Sequence, residues 1–334
     1  MSGIQTKNGK AFEYACLKAL QDVLSSGQLV EVDEDAAYRT AKSSYDCLPS
    51  EIKDKMYEGA FSAVCKLRAM EPMLDSPGNS GALFLKIQTD DNGKRGDVRD
   101  VLCIRNMAEH WEMGISCKHN HHAVKHSRLS STIDFGYEWI GVHCSENYFS
   151  KVQPIFDDLK NKQRNAKIEG NVLTWKDIQN KQESIYIPVL QAFLDELKHL
   201  SEIVENAPAK FTSYLLGTKD FYKVIMDEKK ETTRIEAVNI NGSLNKKSGN
   251  VNSRINIPRS KMPTKFLEMG FKRNSKTTIE VVLDEGWSFS MRIHSGDGPL
   301  KPSLKFDVNL IACPSNNYAQ VEFWHADKTP MTGT

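Results

Sequence analysis

No stretch of the 334 residues stays apolar for the roughly twenty positions that a bilayer-spanning helix needs. The first residues are polar and hold no signal-peptide core, so the protein is expected to remain in the cytoplasm. Cysteine pairing is also missing. Seven cysteines, at 16, 47, 65, 103, 117, 144 and 313, are odd in number and contain no Cys-x-x-Cys. That excludes a disulfide framework and a cysteine-built structural zinc site, and indicates a reducing compartment. Nor is there an excess of charge of either sign: 44 Lys and Arg against 43 Asp and Glu leave a net charge of +1, no global sign of a nucleic-acid partner. What remains, 40% hydrophobic and 26% charged, is an ordinary globular composition, long enough for one large domain or two.

The charge is uneven along the chain, however. Residues 240–280 carry nine Lys or Arg against only Glu268 and Glu280. Upstream, residues 96–105 and 112–121 end two strand-like stretches in reactive groups. Asp100 opens the apolar run Val101 to Ile104, and Gly114, Ser116 and Lys118 alternate with Met113, Ile115 and Cys117 at the period of two. A carboxylate and a lysine on adjacent strand ends suit metal-assisted phosphodiester cleavage. The acid holds Mg²⁺ while the ammonium orients the attacking water or meets the developing negative charge. The spacing resembles the PD-(D/E)XK nuclease signature.

The surrounding motifs sharpen this. The run Gly114-Ile-Ser-Cys-Lys-His-Asn-His-His-Ala-Val-Lys-His-Ser-Arg-Leu-Ser130, followed by Ile133-Asp-Phe-Gly136, resembles the HaeIII-type family of type II restriction endonucleases. Gly9-Lys-Ala-Phe-Glu-Tyr-Ala15, Tyr214-Leu-Leu-Gly-Thr-Lys-Asp-Phe-Tyr-Lys223, Arg292-Ile-His294 and Pro302-Ser-Leu-Lys-Phe-Asp307 fit the same family. The resemblance spans nearly the whole chain. It implies a cytoplasmic, Mg²⁺-dependent enzyme that cleaves double-stranded DNA at a short palindrome, with GGCC as the family's usual target. A cognate DNA methyltransferase is expected as a functional partner, because an unprotected host would cut itself. A palindromic target favours a two-fold homodimer, which uses one recognition surface twice.

The expected fold class is α+β: an α/β/α restriction-endonuclease-like core with a mixed sheet flanked by helices, and a β-rich C-terminal region. The periodicity predicts helices over 10–25 and 51–70 and a loop at Pro72, Pro77, Gly78 and Gly81. Strands are predicted over 82–88, 98–105 and 111–118, the first two joined by a turn at Asp90-Asp-Asn-Gly93. A helix carrying His122, Lys125, His126 and Arg128 should follow, and helices should continue to about 230, with Thr174 as an N-cap and a helix starting just after Pro188. Further strands are predicted over 232–240, 276–283, 287–293 and 303–311, with 244–259 as a polar, basic loop that either links or wraps phosphates. Two domains are expected: a nuclease core over 1–230 and a DNA-recognition region over 231–334.

One carboxylate is out of place. The signature puts an acid two residues before the lysine, but Ser116 stands there. Glu112 shares the strand face, yet six residues at about 3.3 Å each put it roughly 20 Å away. The second acid is therefore expected on the following segment, with Asp134 first, then Glu138, and Glu13 of the first helix as the remaining candidate. For the first ligand Asp100 is preferred over Asp97, which is expected to face solvent in the turn. The catalytic candidates are thus Asp100, Lys118, Asp134, Glu13 and Ser116, with Asp100 and Asp134 on the metal.

His119, Asn120, His122, Lys125, His126 and Arg128 are the candidates to touch DNA near the cut. Lys246 and Lys247 are expected on phosphates, and Arg254, Arg259 and Arg292 on guanine edges, since arginine suits a G and C rich target. Adjacent His119-Asn-His121 does not make an HNH nuclease, whose histidines are spread over dozens of residues. A zinc site from Cys117, His119, His121, His122 and His126 is a further reading. The rivals from other classes are a DNA-binding protein whose catalytic core has decayed, motivated by Ser116, and a nuclease that reads DNA structure.

Overall fold

The computed structural model describes residues 2–75, 81–89, 96–106, 110–120, 123–249, 251–295 and 298–324, with backbone alone at 2–5 and 123–126. The fold is α+β, and its residues cluster into two compact units. The first takes in the chain up to residue 122, residues 217–260 and the segment from 316 onward; the second takes 123–216 and 261–315.

In the first unit, helices α1 (Ser2–Leu24), α2 (Ala36–Asp46) and α3 (Ser50–Met70) pack with a mixed sheet. Its strands are β1 (Val30–Val32), β2 (Leu83–Ile87), β3 (Val101–Asn106), β4 (His110–His119), β6 (Phe221–Asp227), β7 (Thr232–Val238) and β12 (Ala319–Phe323), adjacent in that order. β2, β3 and β4 form the predicted antiparallel meander, while β4 and β6 run parallel. The core lies between helices and sheet: Phe12, Ala15, Cys16, Ala19 and Leu20 of α1 face Met113, Ile115 and Cys117 of β4, while Met56, Ala60, Val64 and Leu67 of α3 join the same core on the side of β6 and β7. The 3.6-residue stripe on the helices and the two-residue alternation on β4 are the two halves of this one interface.

In the second unit β5 (Ala123–Leu129), β8 (Phe266–Phe271), β9 (Thr278–Leu283), β10 (Ser288–His294) and β11 (Leu304–Ala312) form an antiparallel sheet in the order β5-β11-β10-β9-β8. With it come α4 (Glu146–Ile168), α5 (Ile187–Ile203) and α6 (Ala207–Leu216). Its core is aromatic, with Phe135, Trp139, Phe193, Phe211, Phe289 and Phe306 in edge or tilted contacts.

Several expectations need correction. The segment after β4 is a strand, not a helix: Ser127 and Leu129 are buried and Arg128 exposed, and β5 pairs with β11 from far along the chain, a partner that local sequence does not announce. Helices stop at Leu216, because Phe221 to Met226 form a central strand buried on both faces, and such a strand shows no alternation. Thr174 caps no helix; its N–H and hydroxyl both donate to the Asp177 carboxylate in a turn. The contacts do not divide at residue 230. β7 and β12 complete the sheet of the first unit, whereas 261–315 build the second. The turn at 90–93 lies outside the described residues. Among the described residues no helix is long and apolar enough to cross a membrane.

Candidate active site

The backbone of Asp100 sits in the ladder on both sides. Its N–H donates to Ile115 O at 2.7 Å, and its carbonyl accepts from Gln88 N at 2.8 Å. The carboxylate is therefore fixed at the head of β3. Its Oδ2 accepts from the Cys117 N–H at 2.7 Å and the Ser116 hydroxyl at 3.3 Å, and stands 3.5 Å from Lys118 Nζ. Among the described residues these three contacts all fall on Oδ2. Ser116 itself is 2% exposed, so in this chain the position before the lysine orients the acid rather than adding a second one.

A further carboxylate that feels Asp100 comes from α1. The apolar stripe that docks α1 on β4 carries Glu13 inward; it is only 7% exposed and pairs with Lys10 at 3.0 Å. Burial, and after it the Asp100 carboxylate, push the Glu13 pKa up to about 8, against the opposing pull of Lys10 and Lys118. Glu13 is thus a buried acid near enough to Asp100 and Lys118 to be influenced by both. Asp134, the expected second ligand, has its partners close by in the chain. Its Oδ1 accepts from the Tyr137 and Cys144 N–H groups, both at 3.0 Å, and its Oδ2 meets His143 Nδ1 at 2.7 Å. Those donors hold its pKa below the ordinary value although burial works the other way. Asp134 thus anchors the turn Gly136–Ile140, on which Glu138 also lies, in the second unit.

Asp97 does not face solvent either. Both its oxygens bind the Arg99 guanidinium at 2.7 Å, and Arg99 reaches on to Glu112 at 3.0 Å. Arg99 crosses β4 over Gly114, where a Cβ would stand 2.0 Å from its Cδ; only glycine admits that crossing. Arg99 and Lys10 escaped the sequence reading. Lys10 had a signal, its place three residues before Glu13 on a helix; Arg99, one residue before Asp100, had none.

The DNA candidates separate. His119 meets Glu228 at 3.4 Å, and Asn120, at φ 56°, accepts from the Glu228 N–H, so both tie the end of β4 to that of β6. Exposed Arg128 donates to Ser303, and exposed Arg292 lies opposite Asp307 in the second unit's sheet. Lys246, Lys247, Arg254 and Arg259 lie in the first unit; Arg259 Nε donates to Ile240 O at 2.8 Å. His121 and His122, and the side chains of Lys125 and His126, lie outside the described residues.

The donor set fits Mg²⁺. Among the described residues no group of three or more His, Cys, Asp or Glu gathers around a point, as a zinc site needs. Two carboxylates and no soft ligand are what Mg²⁺ uses when water and phosphate oxygens complete its shell. A cation there would also relieve the mutual repulsion of Asp100 and buried Glu13.

A carboxylate and a lysine side by side on neighbouring strands, with a buried acid from the facing helix, are the equipment of a metal-assisted nuclease. The family model of the HaeIII restriction endonucleases matches residues 9–314, and the chain belongs to that family. It is 38% identical over 316 residues to the type II restriction enzyme HaeIII of Haemophilus aegyptius, covering 94% of this chain and 96% of that one. The chain is accordingly a type II restriction endonuclease. No solved structure matches it.

Proposed function

We propose that the protein hydrolyses both strands of DNA at a short palindrome, GGCC by its likeness to the family, with Mg²⁺ as cofactor and the first unit as a PD-(D/E)XK core. The observation that supports this reading is Lys118 Nζ 3.5 Å from the Asp100 carboxylate, with buried Glu13 of α1 near enough to feel both. Asp100 and Glu13 would hold Mg²⁺. When bound, the ion supplies Lewis-acid polarisation of the phosphoryl oxygen and a lowered pKa for the nucleophilic water. Ser116 and the Cys117 N–H keep the Asp100 carboxylate turned, and Lys118 orients the attacking water and meets the charge that grows on the phosphate. With Glu13 supplying the acid that position 116 lacks, decay of the catalytic core loses its motive.

Arg254, Arg259 and Arg292 are proposed to read guanine edges, and Arg128 to hold the DNA near the cut. The cytoplasm, a two-fold homodimer and a companion methyltransferase complete the reading. Incubating the protein with phage DNA and Mg²⁺ tests it. Discrete fragments ending within GGCC are expected; a smear would show cutting without sequence choice, and intact DNA would remove the catalytic assignment.

A further inference from the structure

The first unit also holds a cavity of about 790 Å³ whose lining includes none of Glu13, Asp100 and Lys118. Its walls come from the head of β4 (His110, Trp111, Glu112), from Thr218 to Asp220 before β6, and from the loop carrying Asn241, Ser243, Lys246 and Lys247, with Arg99 and Met73 closing it. Four cationic side chains, Arg99, Lys219, Lys246 and Lys247, face two carboxylates.

Both carboxylates are already engaged within the wall. Glu112 Oε1 takes Arg99 at 3.0 Å and Lys219 at 3.4 Å; although burial works the other way, Arg99 holds this acid below its ordinary pKa. Asp220 accepts from the Asn241 N–H at 2.8 Å, and from the Ser243 N–H and hydroxyl at 2.7 and 2.8 Å. Among the described residues neither loop lysine forms an ion pair with an acid, although Lys246 lies near enough to Glu71 to influence it, and both are exposed. With Asp97 also bound to Arg99, four cations stand against three acids, so the cavity keeps a positive excess that lies on the loop lysines, with Trp111 and Met73 as apolar surface. Its volume is that of a pocket for a small organic ligand.

We propose that this cavity binds a single nucleotide through its phosphate, with Lys219 and Lys247 as the phosphate donors and the Trp111 side as the wall for the base. The choice of a nucleotide among anions rests on the DNA-cleaving reading; the cationic cavity does not. Such a nucleotide has two sources, a residue displaced from the DNA strand or a free nucleotide.

Titration calorimetry on the intact protein with thymidine 5′-monophosphate, inorganic phosphate and thymidine tests the proposal. The monophosphate should bind at least tenfold more tightly than thymidine and more tightly than phosphate. Lys219→Ala and Lys247→Ala, each checked for an unchanged melting temperature, should each weaken it about tenfold, and Lys118→Ala should leave it unchanged. No binding, wild-type binding by either lysine variant, or loss in Lys118→Ala, which would move the nucleotide to the nuclease cluster, overturns it. A duplex with 2-aminopurine beside the target, bound in Ca²⁺, separates the sources. A fluorescence rise that Lys219→Ala removes marks a displaced strand residue; a flat signal alongside binding of the monophosphate marks free nucleotide. Because no arm reads cleavage, failure here leaves the nuclease reading intact, and the reverse holds as well.

Discussion

Glu13 and Asp134 look alike in sequence, each an acid beside an apolar patch, and the structure separates them by what surrounds the carboxylate. Around Asp134 are N–H donors that satisfy it locally; around Glu13 are burial, Asp100 and Lys118. Glu13→Gln should therefore lower the cleavage rate by at least a hundredfold with folding intact. Asp134→Asn should cleave near the wild-type rate and lose about 1 kcal/mol of stability as the turn loosens. A cleavage assay beside a urea melt reads both, and the reverse pattern would return the second acid to Asp134. Asp97→Asn, which weakens only the Arg99 clamp, should retain Mg²⁺-supported cutting. Asp100 and Lys118 were legible because strand alternation and spacing are local properties. Glu13 was legible only as a candidate, since its partners lie about ninety and a hundred residues away in sequence and periodicity carries no such information.

At the scale of elements, helices α1, α3 and α5 and the β2 to β4 meander followed from apolar periods of 3.6 and 2. The failures share one cause. β5 and β6 depend on partners brought from elsewhere, β11 for the first and both β4 and β7 for the second, and pairing overrode local pattern. Glu71 shows how the elements of the first unit are tied. From the end of α3 its fully buried Oε1 accepts from the Tyr222 hydroxyl of β6 at 2.7 Å and from the Asn245 N–H of the basic loop. Burial pushes its pKa up to about 7 from 4.5. The folded chain thus keeps a proton that the unfolded chain has already released between those values. The stability this contributes is fully present below about pH 4.5 and is lost as pH rises through about 7. Glu71→Gln keeps an acceptor and cannot ionise. Urea midpoints at pH 5 and pH 8 should therefore differ less in the variant, by up to about 3 kcal/mol of the wild-type difference. An unchanged pH dependence would show that Glu71 does not titrate with folding.

For the whole molecule, the chain passes from the first unit to the second and back twice, so its two units cannot be cut apart at one bond. A division at residue 230 was natural from the change in texture from helical to β, because composition reports neighbours along the chain and not neighbours in the sheet. A fragment ending at 230 loses β7 and β12 from the first sheet and β8 to β11 from the second. It should show no cooperative melt; a cooperative transition near that of the intact chain would mean that the first 230 residues fold alone. Specific DNA binding is consequently tested in the intact chain. There, replacing a base-reading arginine should cost about 1 to 3 kcal/mol on the cognate site only.

The central claim is that Asp100, Glu13 and Lys118 form one Mg²⁺-dependent hydrolytic site. Single-turnover cleavage of a cognate duplex in Mg²⁺ by Asp100→Asn, Glu13→Gln, Lys118→Ala and Asp134→Asn, each shown to bind the same duplex, measures it directly. The first three should fall by a hundredfold or more while Asp134→Asn stays within a few-fold of wild type. Wild-type cleavage by Asp100→Asn or Lys118→Ala, or a loss confined to Asp134→Asn, would contradict it.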